Sequence, residues 1–238
     1  MTQKHHTMAH ALELFTKLND SPINHVLDIG ANTDTPFLLQ AFPTAHHYLV
    51  EPLEYLHPQL IDNYKNSNYT IFSEPLMDTI KPMHLYEYNI ITQTQTVKTS
   101  TLVDENSPPT KDGMTLSKII TSSTLDNLFY NYNFNKLDSI IKIDVDGNEA
   151  KILNGGENTL SNMGLMIVEC NEESFYEIIP LAQKMNFELF DIVSPGYYRD
   201  LFIQADFIFI NQEVKNNNIK FRPFAEFGFV GDYWNPLK

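Results

Sequence analysis

Apolar positions recur along this chain with two periods, and their alternation predicts a layered α/β fold. Near the N-terminus Ala11, Leu12, Leu14, Phe15 and Leu18 fall at helical spacing, which predicts an amphipathic helix over residues 8–18. Asn19, Asp20, Ser21 and Pro22 stop it. Short apolar runs then alternate with helical stretches. Strands are expected over 23–29, 47–50 and 69–72, and helices over 36–42 and 54–64. This βαβαβ rhythm favours a parallel, doubly wound sheet. Right-handed crossovers then place a ligand crevice at the carboxyl ends of the strands. The rhythm resumes with strands over 137–143, 165–168, 187–193 and 206–210 and helices over 148–160 and 172–185.

The middle is less regular. Residues 83–88 and 93–102 are rich in Thr, Tyr and Val and fit either a hairpin or an irregular excursion. Residues 106–113, NSPPTKDG, read as a loop and a candidate flap. The tail over 221–238 is aromatic and punctuated by Gly and Pro, and is expected to pack irregularly over one end of the domain. The division is an N-terminal helical segment over 1–22, an α/β domain over 23–212 and a C-terminal tail over 213–238.

Composition narrows the function. A chain of 238 residues with 42% hydrophobic and 19% charged residues suits one sizeable domain. The net charge is −14, from 16 Lys+Arg against 30 Asp+Glu, and the two arginines are Arg199 and Arg222. Phosphate neutralisation needs a basic stripe, and none is visible. The expectation is therefore no nucleic-acid partner and no anionic membrane partner. Cys170 is the single cysteine, so no intramolecular disulfide forms. Residues 1–10 lack the apolar core of a signal peptide, and no apolar run approaches a membrane span. The expected setting is cytoplasmic. Oligomeric state is not legible.

Three segments carry chemistry. Asp28-Ile29-Gly30-Ala31-Asn32-Thr33-Asp34 follows the first core strand. A nucleotide-like ligand needs a tight strand-to-helix turn there; glycine permits it, and the helix N-terminus offers free N–H groups. Asp28, at the strand end, suits a cationic amine; the alternative is a plain strand–turn–helix. In the second segment, Glu51 and Pro52 end the next strand, about 20 residues beyond the glycine, where an acidic residue suits ribose hydroxyls. Alone, Glu51 reads as a solvated strand-end charge. The third segment, IKIDVDGNE (141–149), clusters Asp144, Asp146 and Glu149 where a buried strand enters a helix. Asp146 or Glu149 can instead simply cap that helix.

In this order DIGAN, VEP, STLDNL (123–128), IKIDVDGNEAKILNGG and MIVEC resemble the FkbM family of S-adenosylmethionine-dependent methyltransferases, over roughly residues 26–170. The resemblance implies a Rossmann-like class I methyltransferase fold: a mostly parallel seven-stranded sheet, helices on both faces and an antiparallel final strand. It implies methyl transfer from S-adenosylmethionine to a hydroxyl, often of a sugar or natural product. By the same resemblance, Gly30, Ala31 and Asn32 line the methionine end of the cofactor and Glu51 holds its ribose. Ser73 and Glu74 lie near adenine, and Asp144 beside the sulfonium. The sequence departs from the family at two positions. Asp34 stands where glycine is usual, bringing a charge towards the cofactor carboxylate. Asp146 stands where glutamate is usual.

A hydroxyl acceptor needs a base, or a metal that lowers its pKa. Asp144, Asp146, Glu149 and Glu169 are the candidates. A divalent cation on these oxygens is possible but not favoured. The histidines, His5, His6, His10, His25, His46, His47, His57 and His84, lie on peripheral elements or at the wrong sheet end, and Cys170 reads as a buried small residue. Phe224, Phe227, Phe229, Tyr233 and Trp234 fit core packing better than an acceptor pocket. Two rivals remain: a methyltransferase fold that binds without turnover, raised by Asp34, and a metal-dependent nucleotide-sugar glycosyltransferase using Asp144 and Asp146.

Overall fold

Ser139–Ile143, SIIKI, is buried at every position, which requires cover on both faces of the strand. It lies centrally in the sheet of the computed structural model, which describes residues 7–91, 96–104, 107 and 113–222. In chain order the elements begin with α1 (Met8–Leu18), β1 (His25–Ile29), α2 (Pro36–Ala41), β2 (His46–Val50), α3 (His57–Tyr64) and β3 (Asn68–Phe72). Next come β4 (Pro82–Ile91), β5 (Thr96–Asp104), β6 (Thr115–Thr121), α4 (Leu125–Leu128), β7 (Ser139–Ile143), α5 (Glu149–Asn154) and α6 (Glu157–Leu160). The chain continues through β8 (Leu165–Asn171), α7 (Phe175–Lys184), β9 (Phe187–Tyr198), β10 (Leu201–Asn211) and α8 (Gln212–Asn217).

The main sheet runs β3-β2-β1-β7-β8-β10-β9. The β3–β2, β2–β1, β1–β7 and β7–β8 pairs are parallel, whereas β10 is antiparallel to both β8 and β9. The sheet is thus mixed, with one reversed strand, β10, the last in the chain. The cause is local. Arg199 and Asp200 take φ of 50° and 66°, the left-handed pair of a tight hairpin, and a tight hairpin joins antiparallel strands only. β9 and β10 are also longer than expected, at 12 and 11 residues, because the hairpin extends beyond the core.

Alternating side chains of the strands feed two cores. Leu27, Ile29, Ile141, Ile143, Met166 and Val168 pack with Ile152, Leu153, Leu160, Ile178 and Ala182 from α5, α6 and α7. Val26, Ile140, Leu165 and Ile167 pack with Met8, Ala11, Leu12 and Phe15 of α1. Thr7 caps α1, accepting from the His10 amide at 3.2 Å. The helix expected over 148–160 breaks into α5 and α6 at Gly155. A Cβ there would stand 2.4 Å from the Met77 carbonyl oxygen, so backbone passes where a side chain cannot.

Beyond β3 the chain leaves the main sheet, and β4, β5 and β6 form a second, antiparallel one, β5-β4-β6. Of the two readings of this stretch, the hairpin is realised by β4 and β5, with β6 added as a third strand. The excursion starts and ends at one place. Met77 N–H donates to the Ser123 carbonyl and Ser123 N–H to that of Pro75, each at 2.8 Å. The Ser122 hydroxyl donates to the Thr79 carbonyl at 2.8 Å. Most of the 106–113 loop and the tail aromatics from Phe224 to Trp234 lie outside the described residues.

Candidate active site

The strand order reverses at β1, with β2 on one side and β7 on the other, which opens a crevice at their carboxyl ends. The chain turns there at Gly30, with φ of +85°. A Cβ on Gly30 would stand 1.9 Å from the Asp144 carbonyl oxygen, so only glycine lets the ends of β1 and β7 close together. Asn32, with φ of 49°, continues the turn, and its N–H donates to Glu51 Oε2 at 2.9 Å. Leu53 N–H donates to Glu51 Oε1 at 2.8 Å. Glu51 therefore braces the turns after β1 and β2 together. Burial pushes its carboxyl above the usual range, and the two amides oppose that rise.

The segment after β7 is wound as tightly. Asp146 and Gly147 take φ of 57° and 106°. A non-glycine residue in this region is uncommon and marks a constrained site. Glu149 is 3% exposed and accepts from the amides of Val145 and Gly147, each at 3.0 Å. It ties the turn from inside, and its carboxyl is raised first by burial. Above the turn lies β5. The Thr99 hydroxyl donates to Asp146 Oδ2, and the Asn148 amide nitrogen donates to Thr101 Oγ1 at 3.1 Å and to the Leu102 carbonyl at 3.2 Å. The small sheet thus docks onto the Asp146–Asn148 turn.

Two cavities flank this junction. A cavity of about 240 Å³ lies over β1, β2 and β7, lined by Gly30, Asn32, Glu51, Pro52, Asp144 and Asp146, with Leu53, Pro75, Leu76 and Leu85 forming an apolar slot. A second, of about 410 Å³, is lined by Asp104, Asp146, Glu149, Lys151, Glu169, Asn171, Glu173 and Gln204. Thr101, Leu102, Asp146 and Asn148 line both.

Of the expected cofactor residues, Gly30, Asn32, Glu51, Pro52 and Asp144 line the first cavity. The others do not. Ala31 is buried against Leu49, Leu60 and Tyr64. Ser73 and Glu74 sit just before the two residues, Pro75 and Leu76, that do line it. Asp28 is wholly buried with neither oxygen hydrogen-bonded, and Asp34 lies outside the lining. The expected catalytic carboxylates divide as well. Asp144 faces the first cavity, Glu149 and Glu169 the second, and Asp146 both.

Lys142, the one charge inside an apolar strand, was not singled out from the sequence. Its ammonium stands 2.9 Å from Asp144 and 3.8 Å from Asp28. Burial opposes its charge, but Asp144 and Asp28 outweigh that and hold it up at about 12. Burial pushes Asp28 upward against the pull of Lys142. Burial, then the surrounding Asp144, Asp146, Glu149 and Asp206, push Glu169 up to about 8; Gln204 donates to it. Thr99, Thr101, Asn148 and the apolar slot were likewise missed, because their contacts join segments distant in sequence.

A family model described as the methyltransferase FkbM domain matches residues 28–189. No curated protein matches the chain. Several solved structures share the fold at low identity. The magnesium protoporphyrin IX methyltransferase of Synechocystis PCC 6803, solved with bound SAM, is 10% identical, with a TM-score of 0.44 over 85% of this chain and 80% of that one. A putative tRNA (m1A22) methyltransferase of Streptococcus pneumoniae, in complex with S-adenosyl-L-methionine, is 13% identical, with a TM-score of 0.44 over 85% and 72%. A putative RNA methyltransferase of Pyrococcus horikoshii is 13% identical, with a TM-score of 0.45 over 85% and 80%. The exclusion of nucleic acid from net charge is corrected by these neighbours, several of which are RNA methyltransferases by name. Net charge sums the whole surface, whereas recognition is decided locally, so an acidic total does not strike out a substrate class. No helix among the described residues is long and apolar enough to cross a membrane. With the family model spanning 162 of the 238 residues, from Asp28 to Leu189, this chain belongs to the FkbM family of methyltransferases.

Proposed function

We propose that this protein transfers the methyl group of S-adenosylmethionine to a hydroxyl of a sugar or small natural-product-like acceptor. The observation that carries the reading is the first cavity: Gly30, Asn32, Glu51 and Asp144 converge on it at the sheet's reversal point. The residues fit the cofactor. Each oxygen of Glu51 has an amide partner, and a carboxylate has further lone pairs for ribose hydroxyls. Leu53, Pro75, Leu76 and Leu85 offer an apolar slot for a purine. Asp144, with Lys142 behind it, presents negative charge towards the methionine end.

When bound, the cofactor supplies an electrophilic methyl on a sulfonium. An acceptor hydroxyl that took that methyl would need its proton passed to a carboxylate, the neutral thioether being the leaving group. In this reading Asp146 takes the proton; its lining of both cavities and its hydrogen bond from Thr99 support that role. Glu149 is committed to the Val145 and Gly147 amides and supports the turn instead. Fixing donor and acceptor in line supplies most of the acceleration. Asp34 is outside the cavity lining, which counts against the turnover-free binder. Lys142 already pairs with one oxygen of Asp144, which disfavours the glycosyltransferase metal site.

The test is calorimetric titration with S-adenosylhomocysteine. Wild type is expected to bind, Glu51→Ala to lose binding while its circular dichroism stays native, and Glu51→Gln to retain part. A well-folded wild type that shows no heat at millimolar ligand would refute the reading.

A further inference from the structure

We infer that the cavity of about 410 Å³ is the acceptor site and that the acceptor carries an ammonium group beside its hydroxyls, as an amino sugar or amino polyol does. The inference rests on the proposed methyl transfer and names its second substrate.

Position is the first argument. The cavity meets the cofactor crevice at Thr101, Leu102, Asp146 and Asn148. A hydroxyl entering from the second cavity reaches that wall from the side opposite the cofactor, which in-line displacement demands. The cavity is also walled by independent elements: β5 above, the 146–149 turn below, and the ends of β8 and β10 behind.

Charge is the second. The lining includes five carboxylates, Asp104, Asp146, Glu149, Glu169 and Glu173, and one cation, Lys151. Asp104 is paired with Lys81, and Glu149 with backbone amides. Lys151 donates to Asn148 Oδ1 at 3.1 Å, and Lys142 is committed to Asp144 and Asp28. Glu169 and Glu173 form no ion pair with any described residue. Glu169 lies on β8 and, among the described residues, has the neutral amide of Gln204 as its donor, while the charges of Asp144, Asp146, Glu149 and Asp206 raise its carboxyl beyond what burial does. With a neutral acceptor that repulsion is relieved only by a proton held on Glu169, and an anionic acceptor would increase it. An ammonium placed between Glu169 and Glu173 relieves it and directs the remaining hydroxyls towards Asp146.

The test uses a matched pair of probes, glucamine (1-amino-1-deoxysorbitol) and sorbitol, titrated into protein loaded with S-adenosylhomocysteine. Glucamine is expected to bind at least about tenfold more tightly than sorbitol. It should weaken by about tenfold in Glu169→Gln and in Glu173→Gln, each of which keeps the side-chain shape. Affinity of wild type for glucamine should rise between about pH 6.5 and about pH 9 as Glu169 ionises, and Glu169→Gln should flatten that rise. Equal binding of the two probes overturns the charge assignment, and so does glucamine binding unmoved in the double variant. Failure of S-adenosylhomocysteine itself to bind is a different result, since it removes the cofactor reading on which the inference stands.

Discussion

The two sheets of this protein are held by different means. The main sheet is dry at its centre: β7 is buried at every residue, and β1 and β2 at all but their first. Burying such side chains contributes roughly 1.5–3 kcal/mol each. β6 of the small sheet shows no buried residue, and β5 reaches the main body through Thr99, Thr101 and the Leu102 carbonyl. A typical hydrogen bond contributes about 0.5–1.5 kcal/mol net. Stability therefore resides chiefly in the main sheet, while the small sheet buries Met83, Leu85 and Val103 among its described residues and is otherwise fastened by polar contacts at the wall between the cavities. Damage to the first should unfold the protein; damage to the second should disable the site and leave the fold.

The largest effect should come from Lys142→Met. It leaves Asp28 buried and uncompensated, at a cost of about 3–5 kcal/mol in urea denaturation. Adding Asp28→Asn should recover much of the loss; no recovery would mean that Lys142 matters by packing rather than charge. Next, Asn148→Ala removes two bonds to β5 and should cost about 1–3 kcal/mol. Its signature is weaker S-adenosylhomocysteine binding and faster proteolysis within 82–121, with the melt of the core nearly unchanged. A global loss as large as that of Lys142→Met would erase the distinction between the sheets.

The smallest effect is a difference in pH dependence. Folded Glu169 holds its proton to about pH 8, well above its usual value, so the fold binds that proton more tightly than the unfolded chain does. The contribution favours the fold in acid and is lost as pH rises to about 8. Glu169→Gln should therefore melt like wild type near pH 4 and increasingly above it at higher pH, with a constant gap beyond about pH 8. A gap that shrinks with rising pH would show that Glu169 is not held protonated.

The same contrast decides what could be read from the sequence. Strands β1, β2, β7 and β8 were legible because double burial writes a continuous apolar run. Gly30, Glu51 and Asp144 were legible because they terminate such runs. β6 and the outer halves of β9 and β10 were not, since their largely exposed side chains leave little period-two contrast. Asp146 and Glu149 were open between catalysis and capping. Glu149 proves tied to backbone amides, whereas Asp146 faces both cavities. Thr101 and Asn148, 47 residues apart, carry no local signal of their contact.

The isolated bridge between Leu76 and Ser123 has an evolutionary reading. Because the excursion leaves and rejoins the core at adjacent points, its ends stay in register whatever lies between them. A lineage can lengthen, shorten or replace the intervening cassette without refolding the scaffold, since closing a longer loop adds only about 0.6 kcal/mol per doubling of length. One wall of the larger cavity is written on that cassette, so substrate preference can drift while the crevice over β1 and β7 stays constant.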